Sequence, residues 1–393
     1  MKKKIIFLWP WNFKKSDWYR YEIDKLNSFK GSSLEVHQLA NIISYKRQIK
    51  NNLKKNKSIK IFDNLNTWVK KIKNLSKKEK IFIINEIKPF NYATFKVRKI
   101  LKTLQKNNQI YLIEYYGNEC PAPEKQGLKF IKEIFFQLLF NPYLFFSSLR
   151  TKFFNFLDSK IKLYPNYLLL TNNQKPLNNL VSKKIKISSL DFSNYLITKN
   201  LRATKKKYGI YIDSPLPGSS DNNFFYYNFP FKSENWFKSL NLFFLKIENV
   251  FNLKILIAPH PKNNLNYLKK IYKNRKILKG PISQYSKSAD LFISRNSTAL
   301  SFPVIHKKPI FLVYSDDQKK ISNYIDVLHY KAFSKELNIK PINIDREYTK
   351  SFIKKSFKID KSSFLTYEKK FLTSKNLTEP NYKVIKKFIF LNN

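Results

Sequence analysis

Glycine is the first scarcity of this chain: 393 residues hold only six. No Gly-x-Gly-x-x-Gly or Gly-x-x-x-x-Gly-Lys-Ser/Thr loop is present, which excludes the dinucleotide fingerprint of dehydrogenases and the phosphate loop of P-loop NTPases. Cysteine is scarcer still, with Cys120 alone, so there is neither an internal disulfide nor a Cys-rich metal site. The four histidines, His37, His260, His306 and His329, show no zinc spacing. Asp-x-Asp and Gly-x-Ser-x-Gly are both missing, which removes a metal-dependent transferase motif and the hydrolase elbow. Acidic residues are few, 27 against 75 basic ones, and arginine supplies only eight of the 75.

What is present is lysine, isoleucine, asparagine and aromatic rings. The formal net charge is +48, yet 43% of the residues are apolar and 16% aromatic. That apolar content builds packed cores and not a disordered tail. Abundant Lys, Asn and Ile together match a bias toward AT-rich codons. The charge runs along the whole chain without a confined basic stripe, and few arginines exist to read base edges, so nucleic acid is an unlikely partner. Attraction to an anionic membrane surface and to phosphorylated ligands uses the excess better. The opening MKKKIIFLWPWNFKK has an apolar run of five residues before Pro10, too short for a signal peptide or a membrane span. A cytoplasmic protein, peripheral at the inner face of the membrane, is the expectation.

The length predicts two domains. Strand-length apolar runs lie at 5–9, 81–85, 110–115 and 167–171, separated by Lys-rich segments of helical spacing such as 66–80 and 94–107. A second series follows: KYGIYID (207–213), a helix over 233–251, LKILIA (253–258), a helix over 264–274, DLFIS (290–294) and PIFLVY (309–314). Strands alternating with helices predict parallel sheets. The expected organisation is a domain over 1–204, a second over 205–378 and a closing helix within 379–393. The uncharged stretch 134–149 opens an aromatic insertion over about 128–163. Two placements fit it: flat in a membrane interface with lysines reaching outward, or packed onto the first domain.

Two motifs carry chemistry. ILIAPHPKNN (255–264) sets His260 between two prolines at a strand end. In open α/β sheets ligands bind at that edge, and an imidazole there can donate to a phosphate oxygen. SRNSTAL (294–300) follows the next predicted strand and opens a helix near Ala299; its hydroxyls and free N–H groups suit an anion, although Ser and Thr are also ordinary caps. If the two strand ends are adjacent, both motifs aim into one crevice.

A strand ending in His-Pro, then a strand with a Ser/Thr-rich turn, a helix and KKPIF, resembles the C-terminal domain of GT-B glycosyltransferases. It is most similar to bacterial capsule and surface-polysaccharide enzymes of the sialyltransferase, polysialyltransferase and Kdo-transferase groups. YIDSPLPGSSD (211–221) and FLWPWN with DWYRYEIDKL (7–26) are similar to segments of uncharacterised surface-carbohydrate proteins. The resemblance implies an α/β GT-B protein: two Rossmann-like domains whose parallel sheets face a cleft. It implies an inverting, metal-independent transferase that moves a sugar, from a CMP-sugar or another nucleotide sugar, to a surface polysaccharide or glycolipid, without a cofactor. His260, Pro261, Ser294, Asn296, Ser297 and Thr298 would hold the donor. A carboxylate of the first domain would be the base. Glu114, in IEYYG, is the nearest match to an acidic pair followed by glycine, and departs from it by a tyrosine and one extra residue. Asp17, Glu22 and Glu119 compete with it. A glycerol- or ribitol-phosphate transferase of the same fold is the runner-up, with only His37 available as its second histidine. A basic scaffold or nucleic-acid-binding protein is the non-enzyme alternative.

Overall fold

The computed structural model describes residues 2–28, 31–43, 56–117, 119–121, 142–171, 183–202, 206–214, 233–261, 263–273, 275–317, 325–374 and 377–391. The stretches 128–141 and 215–221, which the sequence singles out, lie outside the described residues.

The described residues fall into two compact units: those of Met1–Gly117, Leu138–Ser188 and Glu379–Asn393 in one, those of Asn118–Gln137 and Ser189–Thr378 in the other. Each is built on a parallel sheet, so the α/β class with two Rossmann-like sheets holds. In the first unit β1 (Lys2–Trp9), β2 (Ser32–Gln38), β3 (Ile59–Ile61), β4 (Glu79–Asn85), β5 (Tyr111–Tyr116), β6 (Tyr167–Thr171) and β7 (Lys183–Ile187) lie in the order β3-β2-β1-β4-β5-β6-β7. The order reverses between β1 and β4, which pair as Ile6 with Ile83 and Leu8 with Asn85.

The near-continuous apolar runs of β1 and β4 follow from burial on both faces. Alternation splits each strand between two cores. Ile5, Phe7, Phe82, Ile84 and Ile113 pack with Phe13, Ile23, Val384 and Ile385. Ile6, Leu8, Ile81, Ile83 and Leu112 pack on the other side against Trp68, Ile72, Val97 and Leu101. These last four come from the helices Leu65–Ser76 and Tyr92–Lys106. The second starts at a reciprocal cap: Asn91 Oδ1 accepts from the Thr94 N–H at 2.8 Å, and Thr94 Oγ1 accepts from the Asn91 N–H at 3.0 Å. Each fully buried Phe or Ile contributes on the order of 1.5–3 kcal/mol.

The second sheet contains β8 (Tyr208–Ile212), β9 (Lys254–Ala258), β10 (Leu291–Ser294), β11 (Ile310–Tyr314) and β12 (Ile342–Asn343), in the order β12-β11-β10-β8-β9. Counted within the unit this is 2-1-3-4-5, with its switch point between β8 and β10. The helix Ser233–Phe251 covers one face through Leu240, Phe244 and Ile247. Phe333, Phe364 and Tyr367 cover the other. Gly209 lies where a β-carbon would stand 2.6 Å from Leu291 Cδ1 and 2.7 Å from Ile255 Cδ1, so glycine is what lets both neighbours close in.

The division between units comes earlier than the expected 204/205. The helix Leu190–Thr198 belongs to the second unit: Phe192 lies in its core, and the Ser189 N–H donates to the Leu372 carbonyl at 2.7 Å. The closing helix, Asn381–Ile385, folds back on the first unit. Asn381 Oδ1 accepts from the Ser188 N–H at 3.0 Å, its Nδ2 donates to the Ser188 carbonyl at 2.8 Å, and Val384 and Ile385 enter the core. The chain therefore crosses to the second unit and returns.

Candidate functional site

Three strands of the second unit end at one edge of the sheet, and two of them deliver the sequence-predicted residues. β8 leads into Asp213 and Ser214, β9 into Pro259 and His260, and β10 ends at Ser294, followed by Arg295, Asn296 and Ser297. The expected adjacency of the two motifs is corrected here. β9 and β10 are not neighbours; β8 lies between them. A sequence gives strand succession, whereas the 2-1-3-4-5 order inserts the first strand between the second and third. His260 and the Ser294–Ser297 turn are thus about two strand spacings, roughly 10 Å, apart. The gap holds Asp213 and Ser214.

Asp213 organises this gap. It is 2% exposed. Its Oδ1 accepts from Tyr272 Oη at 2.6 Å; its Oδ2 accepts from Asn263 Nδ2 at 2.7 Å and from the His260 N–H at 3.4 Å. Asn263 Nδ2 also donates to the Ser214 carbonyl at 2.9 Å, and the Asn263 N–H to the His260 carbonyl at 3.0 Å. The His260-Pro261 turn is thereby fastened to the end of β8. Burial pushes the Asp213 carboxyl up, and the bonds from Tyr272, Asn263 and the His260 backbone pull against it. Tyr272 is pushed well up by burial and then by Tyr211 and Asp213, so it stays a phenol and donates.

Beside this network stand two hydroxyls and one cation. Ser214 Oγ and Ser294 Oγ are both buried, and neither has a hydrogen-bond partner among the described residues. Buried polar atoms in native folds are nearly always paired, so two orphans at one switch point are the feature that most asks for a ligand. Arg295, 2% exposed, sets its guanidinium carbon 5.7 Å from the centre of the Trp236 ring.

The Ser297-Thr298 turn differs from its expectation. Ser297 Oγ accepts from the Ala299 N–H at 3.2 Å and caps a 3-10 turn, Thr298–Leu300, which runs into the five-residue helix Ser301–Ile305. So short an element carries little dipole, and anion contacts here would come from hydroxyls and single N–H groups. His260, Asn296, Ser297 and Thr298 are partly exposed, Pro261 is exposed and Ser294 is buried.

The first unit separates the candidate bases. Asp17 Oδ2 accepts from the Lys14 N–H at 2.9 Å, at the start of a helix. Glu22 Oε2 accepts from the Tyr382 N–H at 2.8 Å and holds the closing helix. Glu119, which belongs to the second unit, has its Oε1 bound to the Leu190 N–H at 2.8 Å. All three bind backbone at helix starts. Glu114 does not. Its Oε1 accepts from Asn85 Nδ2 at 2.6 Å and from Arg98 at 3.1 Å, which orients the carboxylate through that oxygen. Arg98 also binds Asp158 at 2.6 Å and the Ile87 carbonyl at 3.0 Å. Burial works against the Arg98 charge, but Glu114 and Asp158 outweigh it and raise its pKa.

His37 is fully buried. Trp68 Nε1 donates to His37 Nδ1 at 3.3 Å, so Nε2 carries the proton and donates to Glu35 Oε2 at 2.9 Å. Burial lowers the His37 pKa despite Glu35, whereas Glu35, with Lys4 at 2.9 Å and the His37 bond, overcomes its own burial and drops to about 2. The two shifts describe a neutral imidazole donating to a carboxylate, and His37 is a core residue.

Sequence reading missed Asp213, Ser214, Asn263 and Tyr272. The signal was available in YIDS, a buried strand that ends in an acid. Among the described residues no three His, Cys, Asp or Glu side chains come together as a metal cluster.

No family model and no curated protein matches this sequence. Solved structures do. The wall teichoic acid polymerase TagF, as its H548A variant, is similar at 12% identity over 97% of this chain and 88% of that one, with a TM-score of 0.49. A UDP-N-acetylglucosamine 2-epimerase from Listeria monocytogenes, described as putative, is similar at 7% identity over 98% and 96%, with a TM-score of 0.47. The glycosyltransferase of kitacinnamycin is similar at 9% identity over 98% and 99%, with a TM-score of 0.45.

Proposed function

We propose that this chain is a glycosyltransferase of GT-B type, inverting and metal-independent as the resemblance implies, which moves a sugar from a nucleotide donor to a surface polysaccharide or glycolipid. The observation that supports it most is the pair of buried hydroxyls of Ser214 and Ser294, without a partner among the described residues, at the switch point of the second sheet. They lie between a His-Pro turn that Asp213 fixes in place and a Ser/Asn/Thr turn. A nucleoside diphosphate or monophosphate sugar is long enough to reach from one turn to the other across β8. Its phosphate oxygens would accept from hydroxyls, backbone N–H groups and the His260 ring, and the same donors would stabilise charge growing on the leaving nucleotide.

Glu114 is the proposed base, because its Oε1 is held by Asn85 and Arg98 while the proton of an acceptor hydroxyl would go to Oε2. A route through a second histidine of the first unit, as in the glycerol- or ribitol-phosphate reading, has less support: His37 is the one histidine there and it is engaged with Trp68 and Glu35. The acceptor would sit at the cytoplasmic membrane face, where a net charge of +48 favours anionic surfaces.

A thermal-shift screen of the purified chain with CMP, CDP, UDP, GDP and their sugars, CDP-glycerol included, tests this reading. One nucleotide class should raise the melting temperature by about 2–4 °C at saturating concentration. No shift with any nucleotide, or an equal shift with inorganic polyphosphate, would contradict it.

A further inference from the structure

The aromatic insertion that the sequence leaves with two placements has a described helix, Pro142–Ile161, and this helix is apolar on two sides. Its inner side packs on the helix Tyr92–Lys106. Phe154 meets Phe95 at 6.1 Å and Tyr92 at 6.5 Å, and Asp158 binds Arg98 at 2.6 Å. Packing onto the first unit is therefore real, but it uses one side only. On the other, Leu149, Phe153 and Phe156 are 46%, 55% and 58% exposed. Their spacing of four and three residues places them in one stripe. Tyr92, 57% exposed, and Tyr164, 39% exposed, stand on the neighbouring helix and the turn that follows.

Lysines accompany the rings. Lys96 Nζ lies 4.5 Å from the Tyr92 ring, Lys160 Nζ 5.2 Å from Phe156 and Lys102 Nζ 5.9 Å from Tyr164. The single acid of the helix, Asp158, is turned inward to Arg98. The outer face thus offers bare phenylalanines edged by cations, with no carboxylate from its own helix. The helix has 20 residues but includes Arg150, Lys152, Asp158 and Lys160, and no described helix is long and apolar enough to cross a membrane.

We propose that this face of the first unit lies on an anionic lipid surface, with Phe153 and Phe156 in the boundary between headgroups and acyl chains and Lys96, Lys102 and Lys160 on the headgroups. Charge selects this occupant. A second copy would set the same lysines against each other, while an anionic bilayer receives both the rings and the cations. The proposal deepens the transferase reading, whose acceptor it would bring within reach, and its test is separate, because vesicle binding and nucleotide binding can each fail without the other.

Sedimentation of the full chain with vesicles tests it, using phosphatidylcholine alone and with about a quarter phosphatidylglycerol. Expected are at least about tenfold tighter binding to the anionic vesicles, weakened by salt, and a further loss of about tenfold or more in Phe153→Ser/Phe156→Ser. Lys96→Glu/Lys160→Glu should lose affinity to a similar extent, and both pairs should melt as the parent does, since the altered side chains are exposed. A Phe153→Trp variant should show a fluorescence blue shift on anionic vesicles alone. Absence of vesicle binding, binding undiminished in both variants, or a lipid-independent self-association that the same substitutions abolish would overturn the proposal.

Discussion

The phenol of Tyr272 donates to Asp213 Oδ1 at 2.6 Å inside the second unit, and through Asp213 it holds the backbone of His260. A residue on the helix side of the sheet thereby fixes the loop at its ligand edge. Tyr272→Phe removes one donor from a buried carboxylate and should cost about 1–3 kcal/mol. Asp213→Ala removes the whole anchor and should weaken nucleotide binding more than Tyr272→Phe does. Urea unfolding and nucleotide titration of the two variants check the order.

Arg98 joins Glu114 to Asp158 in a buried ion network. Arg98→Met leaves two carboxylates without their cation, and the expected loss is about 3–5 kcal/mol. Glu114→Gln keeps an oxygen for Asn85 and Arg98, so it should fold. As the base, it should lower kcat by about a hundredfold or more with nucleotide affinity unchanged. A Glu114→Gln enzyme with full kcat would remove Glu114 from the chemistry.

With so few glycines, two positions show what the backbone requires. Gly117 has φ +133°, and a β-carbon there would meet Thr171 Oγ1 at 2.1 Å and the Thr171 carbonyl at 2.7 Å. Gly117→Ala should cost more than Gly209→Ala, whose obstacles are movable side-chain ends. The expected losses are roughly 3 kcal/mol and about 1–3 kcal/mol. Comparison of the two melting curves decides it.

His306 provides a pH dependence. Burial first, then Lys308 and Lys287, lower its pKa to about 4 from 6.5; its Nε2 contacts Ser286 Oγ at 3.1 Å. The unfolded chain takes up this proton before the folded one does. The stabilisation is fully present above pH about 6.5 and is lost as the pH falls toward about 4, by about 2 kcal/mol after allowance for solvent screening. His306→Gln should flatten the melting temperature in that window, leaving the slope that His37, shifted the same way, contributes.

The strands at the sheet centres were legible because burial on both faces writes them as unbroken apolar runs: IIFLW, IFIIN and YLLLT all lie within β1, β4 and β6. β2, β3, β7 and β12 were not legible. SSLEVHQ interrupts its apolar pattern with Glu35, His37 and Gln38, which bind Lys4, Trp68 and Phe13 from distant parts of the chain, and the edge strand KKIKI buries only Ile185 and Ile187. His260 was readable as a strand-end residue because Pro259 and Pro261 mark the stop. Its true neighbour was hidden, since the insertion of β8 between β9 and β10 is a property of topology. Arg98 and Asp158, 60 residues apart, had no local pattern to announce their pairing.

Calorimetric titration of the full chain and its His260→Ala variant, with the nucleotide that the thermal screen selects, bears most directly on the proposed donor site. The parent should bind, and His260→Ala should bind at least about tenfold more weakly with an unchanged melting temperature. Equal affinity in the two proteins would contradict the assignment of the His-Pro turn to the donor nucleotide.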